Sequence, residues 1–181
     1  MRLRSAALGS ALFFVVAPGV VVGLIPWWLT RWRLGPAATP VRGLGVLLLL
    51  LGLPVLVSAF VRFVRDGLGT PAPVAPTERL VVSGAYRYVR NPMYVAVLAS
   101  IAGQGLLLGQ PRLLSYAALV AVMVVGFVRL YEEPVLRRRF GEDYASYARA
   151  VPGWWPRLRP WSGPGQSQRG GDISRRRWKS P

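Results

Sequence analysis

The amino-acid sequence predicts an all-α protein: a polytopic membrane bundle of about four transmembrane helices with both termini in the cytoplasm. The chain has 181 residues, of which 52% are hydrophobic, yet its formal net charge is +16. The basic residues lie between and after long uncharged runs, and this separation is typical of integral membrane proteins. Hydrophobicity and the placement of charge together predict the fold class.

Four runs of the sequence contain no Asp, Glu, Lys or Arg, namely residues 5–30, 43–61, 91–111 and 113–128. A helix needs roughly 20 apolar residues to cross the hydrocarbon core, and the first three runs are long enough. The fourth run has only 16 residues. Because the side chain of Arg129 can reach back toward the lipid headgroups, we interpret this run as a span too.

The first run has a competing interpretation as a cleaved signal peptide, with Arg2 and Arg4 at its start. Its apolar stretch is much longer than the hydrophobic region of an ordinary signal peptide. The sequence Pro26-Trp27-Trp28 also has the character of an aromatic anchor at a membrane interface. We therefore expect this run to be retained as a membrane helix.

The orientation follows from the distribution of the basic residues. With four spans and a cytoplasmic N-terminus, the cytoplasmic segments are residues 1–4, 62–90 and 129–181, and they hold 19 of the 23 Lys and Arg residues. Positive charge is enriched on the cytoplasmic side of membrane proteins, so this topology is favoured over its inverse.

Two residue types are absent, and their absence excludes several kinds of chemistry. The chain has no cysteine and no histidine. It therefore has no thiol nucleophile, no disulfide and no Cys-based metal site, and it lacks the most common general base and metal ligand. We predict no metal site.

Residues 84–94, with the sequence GAYRYVRNPMY, form the most informative segment of the chain. Two arginines, one amide and three tyrosines lie here against the start of an apolar run. Charged groups at the edge of a membrane segment are costly to desolvate, and they usually serve a ligand or a partner. Within this segment, Asn91-Pro92 is predicted to begin the third span, because proline is tolerated in the first helical turn.

The adjacent Glu132 and Glu133 lie just past the inner end of the fourth run. In one interpretation Glu133 pairs with Arg129 on a solvated helix end. In the other, the two carboxylates face Arg87 and Arg90, since both segments are predicted to lie on the cytoplasmic side. The helix that carries them is expected to be perturbed at Pro134, which has no backbone N–H. Gly141 is predicted to end this helix, and residues 142–147 are expected to form a further helical turn or two at the surface.

The third run contains Gly103-Gln104-Gly105. Small residues in a membrane helix permit close helix packing, and they also allow a ligand to approach the backbone. The residues themselves leave these two alternatives open.

These motifs, together with residues 140–147 and 151–156, resemble the isoprenylcysteine carboxyl methyltransferase family. The related phospholipid N-methyltransferases share much of the same pattern. The resemblance covers roughly residues 78–158, and it implies an integral membrane enzyme that uses S-adenosylmethionine. The family pattern has histidine at the position of Asn91, and an amide there cannot shuttle a proton because it does not titrate.

The resemblance also implies roles for individual residues. Glutamate would hold the ammonium of S-adenosylmethionine, arginine would hold its carboxylate, and the glycines would let the adenosyl part lie against the helix. The implied cofactor-binding residues are Tyr86, Arg87, Arg90, Pro92, Gly103, Gly105, Glu132 and Glu133. The implied catalytic residues are Arg90, Asn91, Tyr94 and Glu133.

The resemblance favours carboxyl O-methylation of a lipophilic acceptor that enters from the bilayer to a site on the cytoplasmic side. The alternatives are N-methylation of a phospholipid or small amine, and a non-catalytic scaffold or lipid-binding protein with the same fold. The expected partners are a lipid substrate and membrane lipids, and nucleic acid is not expected.

The sequence is expected to divide into three parts. Residues 1–61 form two anchoring helices, residues 62–161 form the methyltransferase core, and residues 162–181 form a disordered basic tail. The cations of this tail suit an anionic lipid surface.

Overall fold

The computed structural model describes residues 16, 18–67, 80 and 82–162. These residues form five main helices and no strand, which confirms the all-α class for the described part of the chain. The first 15 residues and almost all of the predicted basic tail lie outside the described residues. The helices are α1 Gly19–Thr30, α2 Thr39–Gly67, α3 Pro92–Leu108, α4 Pro111–Phe127 and α5 Glu133–Ala150.

Helix α1 begins as a π-helix over Gly19–Leu24 and continues as an α-helix over Ile25–Thr30. Two neighbouring helices donate hydrogen bonds to its carbonyl groups. The hydroxyl of Tyr116 donates to the carbonyl of Val21 at 3.1 Å, and the Gln104 amide donates to that of Val22 at 2.8 Å. Side-chain hydrogen bonds between helices are one of the forces that hold membrane bundles together.

Helices α2 and α3 pack side by side in opposite directions through small residues. Gly45 of α2 lies against the backbone of Gly103, and Gly52 lies against Ser100. Without a side chain at these positions the two backbones approach closely, which increases their van der Waals contact. The side chain of Arg42 then closes one end of the pair by donating to the carbonyls of Leu107 and Gly35, each at 2.7 Å.

Helix α3 has defined signals at both ends. Pro92 occupies its first turn, as the Asn91-Pro92 pair predicts, and Gly109 ends it in the left-handed conformation with φ of 64°. Seventeen residues span about 25 Å, which is near the lower limit for crossing the hydrocarbon core. Pro111 immediately begins α4, so α3 and α4 form a tight helical hairpin.

Among the described residues, two helices are long and apolar enough to cross a membrane, at Thr39–Ala59 and within Pro111–Ala150. The helices at Gly19–Thr30 and Pro92–Leu108 are apolar but shorter. The helical character of all four predicted spans is confirmed for the described residues. Their number as true spans and the cytoplasmic position of the termini stay predictions.

Candidate active site

The polar site lies at the end of the bundle where the segment before α3 meets the junction of α4 and α5. Its centre is the guanidinium of Arg90. The Nη1 atom of Arg90 donates to the Glu133 carboxylate at 2.9 Å and to the Tyr144 hydroxyl at 3.0 Å. Glu133 thus pairs with the motif, and not with Arg129 as the alternative interpretation proposed.

The second glutamate has a different partner. The hydroxyl of Tyr94, one turn into α3, donates to Glu132 Oε2 at 3.0 Å. Because Tyr94 is a neutral donor, this hydrogen bond leaves the negative charge of Glu132 uncompensated. Counted as formal charges, Arg90, Glu132 and Glu133 together carry one positive and two negative charges, so the formal charge of this cluster is negative.

The helix between α4 and α5 orients both carboxylates. Residues Val128–Glu132 form a π-helix in which the backbone N–H of Glu133 donates to the carbonyl of Val128, five residues earlier. Pro134 follows directly and cannot donate to the carbonyl of Leu130, which explains why the helix changes its hydrogen-bond register here. The perturbation that the sequence predicts at Pro134 is confirmed. Two consecutive glutamates therefore both contact the segment around α3.

The chain after α5 holds the arginine segment in place. The backbone N–H groups of Arg90 and Asn91 donate to the carbonyls of Pro152 and Gly153, at 2.9 and 3.2 Å. Asn91 adds a side-chain hydrogen bond to the Gly153 carbonyl at 3.1 Å. A side chain at Gly153 would begin 3.3 Å from Arg90 Nη2, so glycine leaves room for the guanidinium.

The aromatic residues below the site are packed and not exposed. Tyr86 is buried beside Ala59 and Met93, and the Tyr147 hydroxyl donates to the Tyr86 carbonyl at 2.6 Å. Burial raises the pKa of the Tyr86 hydroxyl, and the negative charge of Glu132 raises it further. This phenol therefore stays protonated at neutral pH.

Several residues that the resemblance implies lie away from this cluster. Arg87 donates from Nε to the carbonyl of Trp161 at 2.6 Å, in the segment that follows α5. Pro92 is buried at the start of α3. The Cα of Gly103 faces Gly45 of α2, and that of Gly105 faces Leu114 of α4.

Both glycines therefore make helix contacts, which favours the packing alternative for this motif. The cofactor roles implied for Arg87, Pro92, Gly103 and Gly105 stay predictions.

Two supporting residues, Tyr144 and Gly153, were not predicted individually. Tyr144 lies three residues before Tyr147, and this spacing places both on one face of α5. That face is buried, although the sequence suggested a surface turn there. Gly141, which the sequence predicts as a helix end, has a non-helical backbone with φ of 51° and separates two helical segments within α5, so this prediction is confirmed. The aromatic spacing is the signal that identifies the buried face.

Comparison with known proteins identifies a protein family and individual relatives that match parts of this chain. A model of the phospholipid methyltransferase family matches residues 41–143, more than half of the chain. A phosphatidylethanolamine N-methyltransferase from Paracoccidioides lutzii is 33% identical over 67 residues. That alignment covers 37% of this chain but 7% of the relative, so the chain spans a small part of the fungal protein's length.

Two bacterial relatives match a longer stretch. The nickel-cobalt-cadmium resistance protein NccN of Alcaligenes xylosoxydans xylosoxydans is 34% identical over 82 residues, covering 45% of this chain and 38% of the relative. The cobalt-zinc-cadmium resistance protein CzcN of Cupriavidus metallidurans is 35% identical over 85 residues, covering 44% and 36%. No solved structure matches the chain. The match over residues 41–143 shows that the chain belongs to the phospholipid methyltransferase family.

Proposed function

We propose that this protein is an integral membrane methyltransferase that uses S-adenosylmethionine and methylates the amine headgroup of a phospholipid. The observation that carries the proposal is the cluster in which Arg90 binds Glu133 while Glu132 accepts only a neutral hydroxyl from Tyr94 among the contacts described. Family membership supports methyl transfer as the reaction class.

The cluster fits the charged groups of the methyl donor. The Nε atom of Arg90 is buried and has no hydrogen-bond partner within the described part of the chain, so it is available to a carboxylate. The uncompensated carboxylate of Glu132 suits an ammonium or a sulfonium. When bound, S-adenosylmethionine supplies the reactive methyl group, and the protein positions the acceptor and keeps water out.

The charge of the cluster favours an amine acceptor over a carboxylate acceptor. A net negative site attracts the cationic headgroup, and a second carboxylate would be repelled by Glu132 and Glu133. An ammonium must also lose a proton before it can attack. Glu132, held by Tyr94, is the carboxylate of the cluster without a cationic partner among the described contacts, so we assign it the role of proton acceptor.

Carboxyl O-methylation of a lipophilic acceptor, which the sequence resemblance favours, is the second candidate. Its supporting observation is Asn91, which cannot titrate and donates to the Gly153 carbonyl. A carboxylate acceptor is already nucleophilic and needs no base, so it would tolerate an amide at this position.

The two candidates differ in their products. Membranes that contain the protein are incubated with methyl-labelled S-adenosylmethionine and phosphatidylethanolamine, and the lipids are separated. We expect the label in an amine headgroup that resists mild base, whereas label in base-labile esters would support O-methylation. Absence of label in every lipid, with no binding of the methyl donor in titration calorimetry, would contradict both and favour the scaffold alternative.

The Glu132→Gln variant tests the assigned residue. It removes the uncompensated charge, and we expect methyl transfer to fall at least 100-fold, the lower limit for loss of a general base. Glu142→Gln is the matched control, because Glu142 is exposed and pairs only with the exposed Arg149 in the described contacts. Equal activities of the two variants would contradict the role of Glu132.

A further inference from the structure

An apolar groove runs along the bundle between α1, α2 and α3. Its volume is about 680 Å³, within the range of small-molecule pockets. Apolar side chains line nearly all of it, including Val22, Leu56 and Leu108. The side chain of Gln104 also lies in its wall, where it donates to the carbonyls of Val22 and Ser100 and so fixes α1 against α3.

Glycine keeps the α1 side of this groove open. Gly19 and Gly23 both line it, and a side-chain carbon added at either would meet no atom of the described residues within 4 Å. These glycines contrast with Gly45 and Gly103, where an added carbon would collide with the neighbouring helix. Helix packing therefore explains the second pair, and it does not explain the first.

The groove is about as long as one lipid chain. It extends from Leu108 to Leu56, which packs against Ala96. The twelve residues of α3 between those levels span about 18 Å. Half of the hydrocarbon core is about 15 Å thick, so one acyl chain of one leaflet fits this length.

The inner end of the groove reaches the polar site through one side chain. Met93 packs against the buried cluster that includes Leu56 of the groove wall, and it also packs against the cluster of Ala59 and Tyr86. The next residue, Tyr94, binds Glu132. A molecule with an apolar chain in the groove can therefore place its polar end at the cluster.

We propose that the groove between α1, α2 and α3 binds an acyl chain of the acceptor phospholipid while its headgroup lies at Glu132. This inference rests on the proposed function and deepens it. The groove should make the enzyme selective for chain length, because a chain that fills it gains van der Waals contacts that a shorter chain lacks, whereas the surrounding hydrocarbon shields both chains from water.

The Gly23→Leu variant adds an isobutyl group on the α1 side of the groove, where the first added carbon meets no atom of the described residues within 4 Å, and it raises the helix propensity of α1. Its matched control is Gly126→Leu, because Gly126 of α4 also has open space around an added carbon and does not line the groove. We compare KM for phosphatidylethanolamines that have the same headgroup and either 16-carbon or 6-carbon chains.

We expect Gly23→Leu to raise KM for the long-chain lipid at least tenfold, and to change KM for the short-chain lipid less than twofold. The control should change neither. Identical KM values for the long-chain lipid in the Gly23→Leu variant and the wild type would overturn the inference, while the observed methylation would leave the proposed function standing.

A binding measurement tests whether the groove binds an acyl chain, independently of catalysis. A phosphatidylethanolamine with a photoreactive diazirine in the middle of one acyl chain is added to the full-length protein in lipid nanodiscs. We expect crosslinks in residues 18–24 and 104–108 that are lost in Gly23→Leu and kept in Gly126→Leu.

Crosslinks that persist in Gly23→Leu would overturn the inference. The inference would also be overturned if the first 15 residues or a second copy of the chain filled the groove and protected it from the probe. If the wild-type protein transfers no methyl group to any lipid, the proposed function fails, and the crosslinks still show whether the groove binds an acyl chain.

Discussion

Removal of one partner from the ion pair between Arg90 and Glu133 should destabilise the protein far more than removal of one partner from the other ion pair of the described residues. The two side chains are 17% and 21% exposed, and their charged atoms are 2.9 Å apart. The pair of Arg149 and Glu142 is 69% and 88% exposed at 3.4 Å. The same two chemical groups thus occur in two environments within one chain.

The Arg90→Met variant removes the hydrogen bonds to Glu133 and Tyr144 and leaves the Glu133 carboxylate without its cation. Breaking a buried pair costs about 3–5 kcal/mol. Because these side chains retain about a fifth of their exposure, solvent screens part of that cost, and we expect about 2–3 kcal/mol. The Arg149→Met control should lose about 0–1 kcal/mol.

The assay is reversible unfolding in mixed micelles, followed by circular dichroism at increasing denaturant. A double-mutant cycle of Arg90→Met with Glu133→Gln isolates the pair, since the double variant should lose less stability than the two single losses combined. Equal losses in Arg90→Met and Arg149→Met would refute the argument from burial. Strict additivity in the cycle would show that the two side chains do not interact.

Two further variants test positions 91 and 103. Asn91→His adds the only imidazole of the chain, and its pKa should lie near or under 6.5 because the imidazolium forms beside Arg90. Below that pKa, kcat/KM of the variant should fall about tenfold per pH unit. Profiles of variant and wild type that coincide from pH 5 to 8 would contradict this. Gly103→Ala places a carbon 3.0 Å from the Gly45 carbonyl and should destabilise the protein by about 1–3 kcal/mol in the same unfolding assay. Calorimetry on the folded Gly103→Ala protein should give an unchanged Kd for S-adenosylmethionine, whereas a weakened Kd with intact stability would support direct cofactor contact.

The sequence was most informative about where the polar site lies. Apolar runs and basic segments predicted helices whose ends bring residues 84–94 and Glu132-Glu133 to the same end of the bundle, and the contact of Arg90 with Glu133 confirms that they meet. The prediction worked because charge in a membrane protein is confined to few positions, and few arrangements can pair it.

The sequence was less informative about the environments of individual glycine and tyrosine residues. Gly103 and Gly23 are the same residue in apolar helices, yet one lies against a helix and the other lines open space. Tyr144 and Tyr147 are also buried in a segment expected at the surface. A glycine or a tyrosine suits several environments, so its role depends on which helix lies opposite.

The sequence alone predicts that this chain is helical, hydrophobic and basic, and it identifies the adjacent Glu132 and Glu133 as candidate site residues. The tertiary structure decided that Glu133 binds Arg90, that Glu132 accepts from Tyr94, and that an apolar groove lies between α1, α2 and α3. The physical reason is the separation along the chain over which each interaction acts. Hydrophobic periodicity and charge placement are properties of nearby residues in the sequence. The pairing of Arg90 with Glu133, and not with the adjacent Glu132, depends on the helix register that Pro134 sets and on contacts between residues more than 40 positions apart.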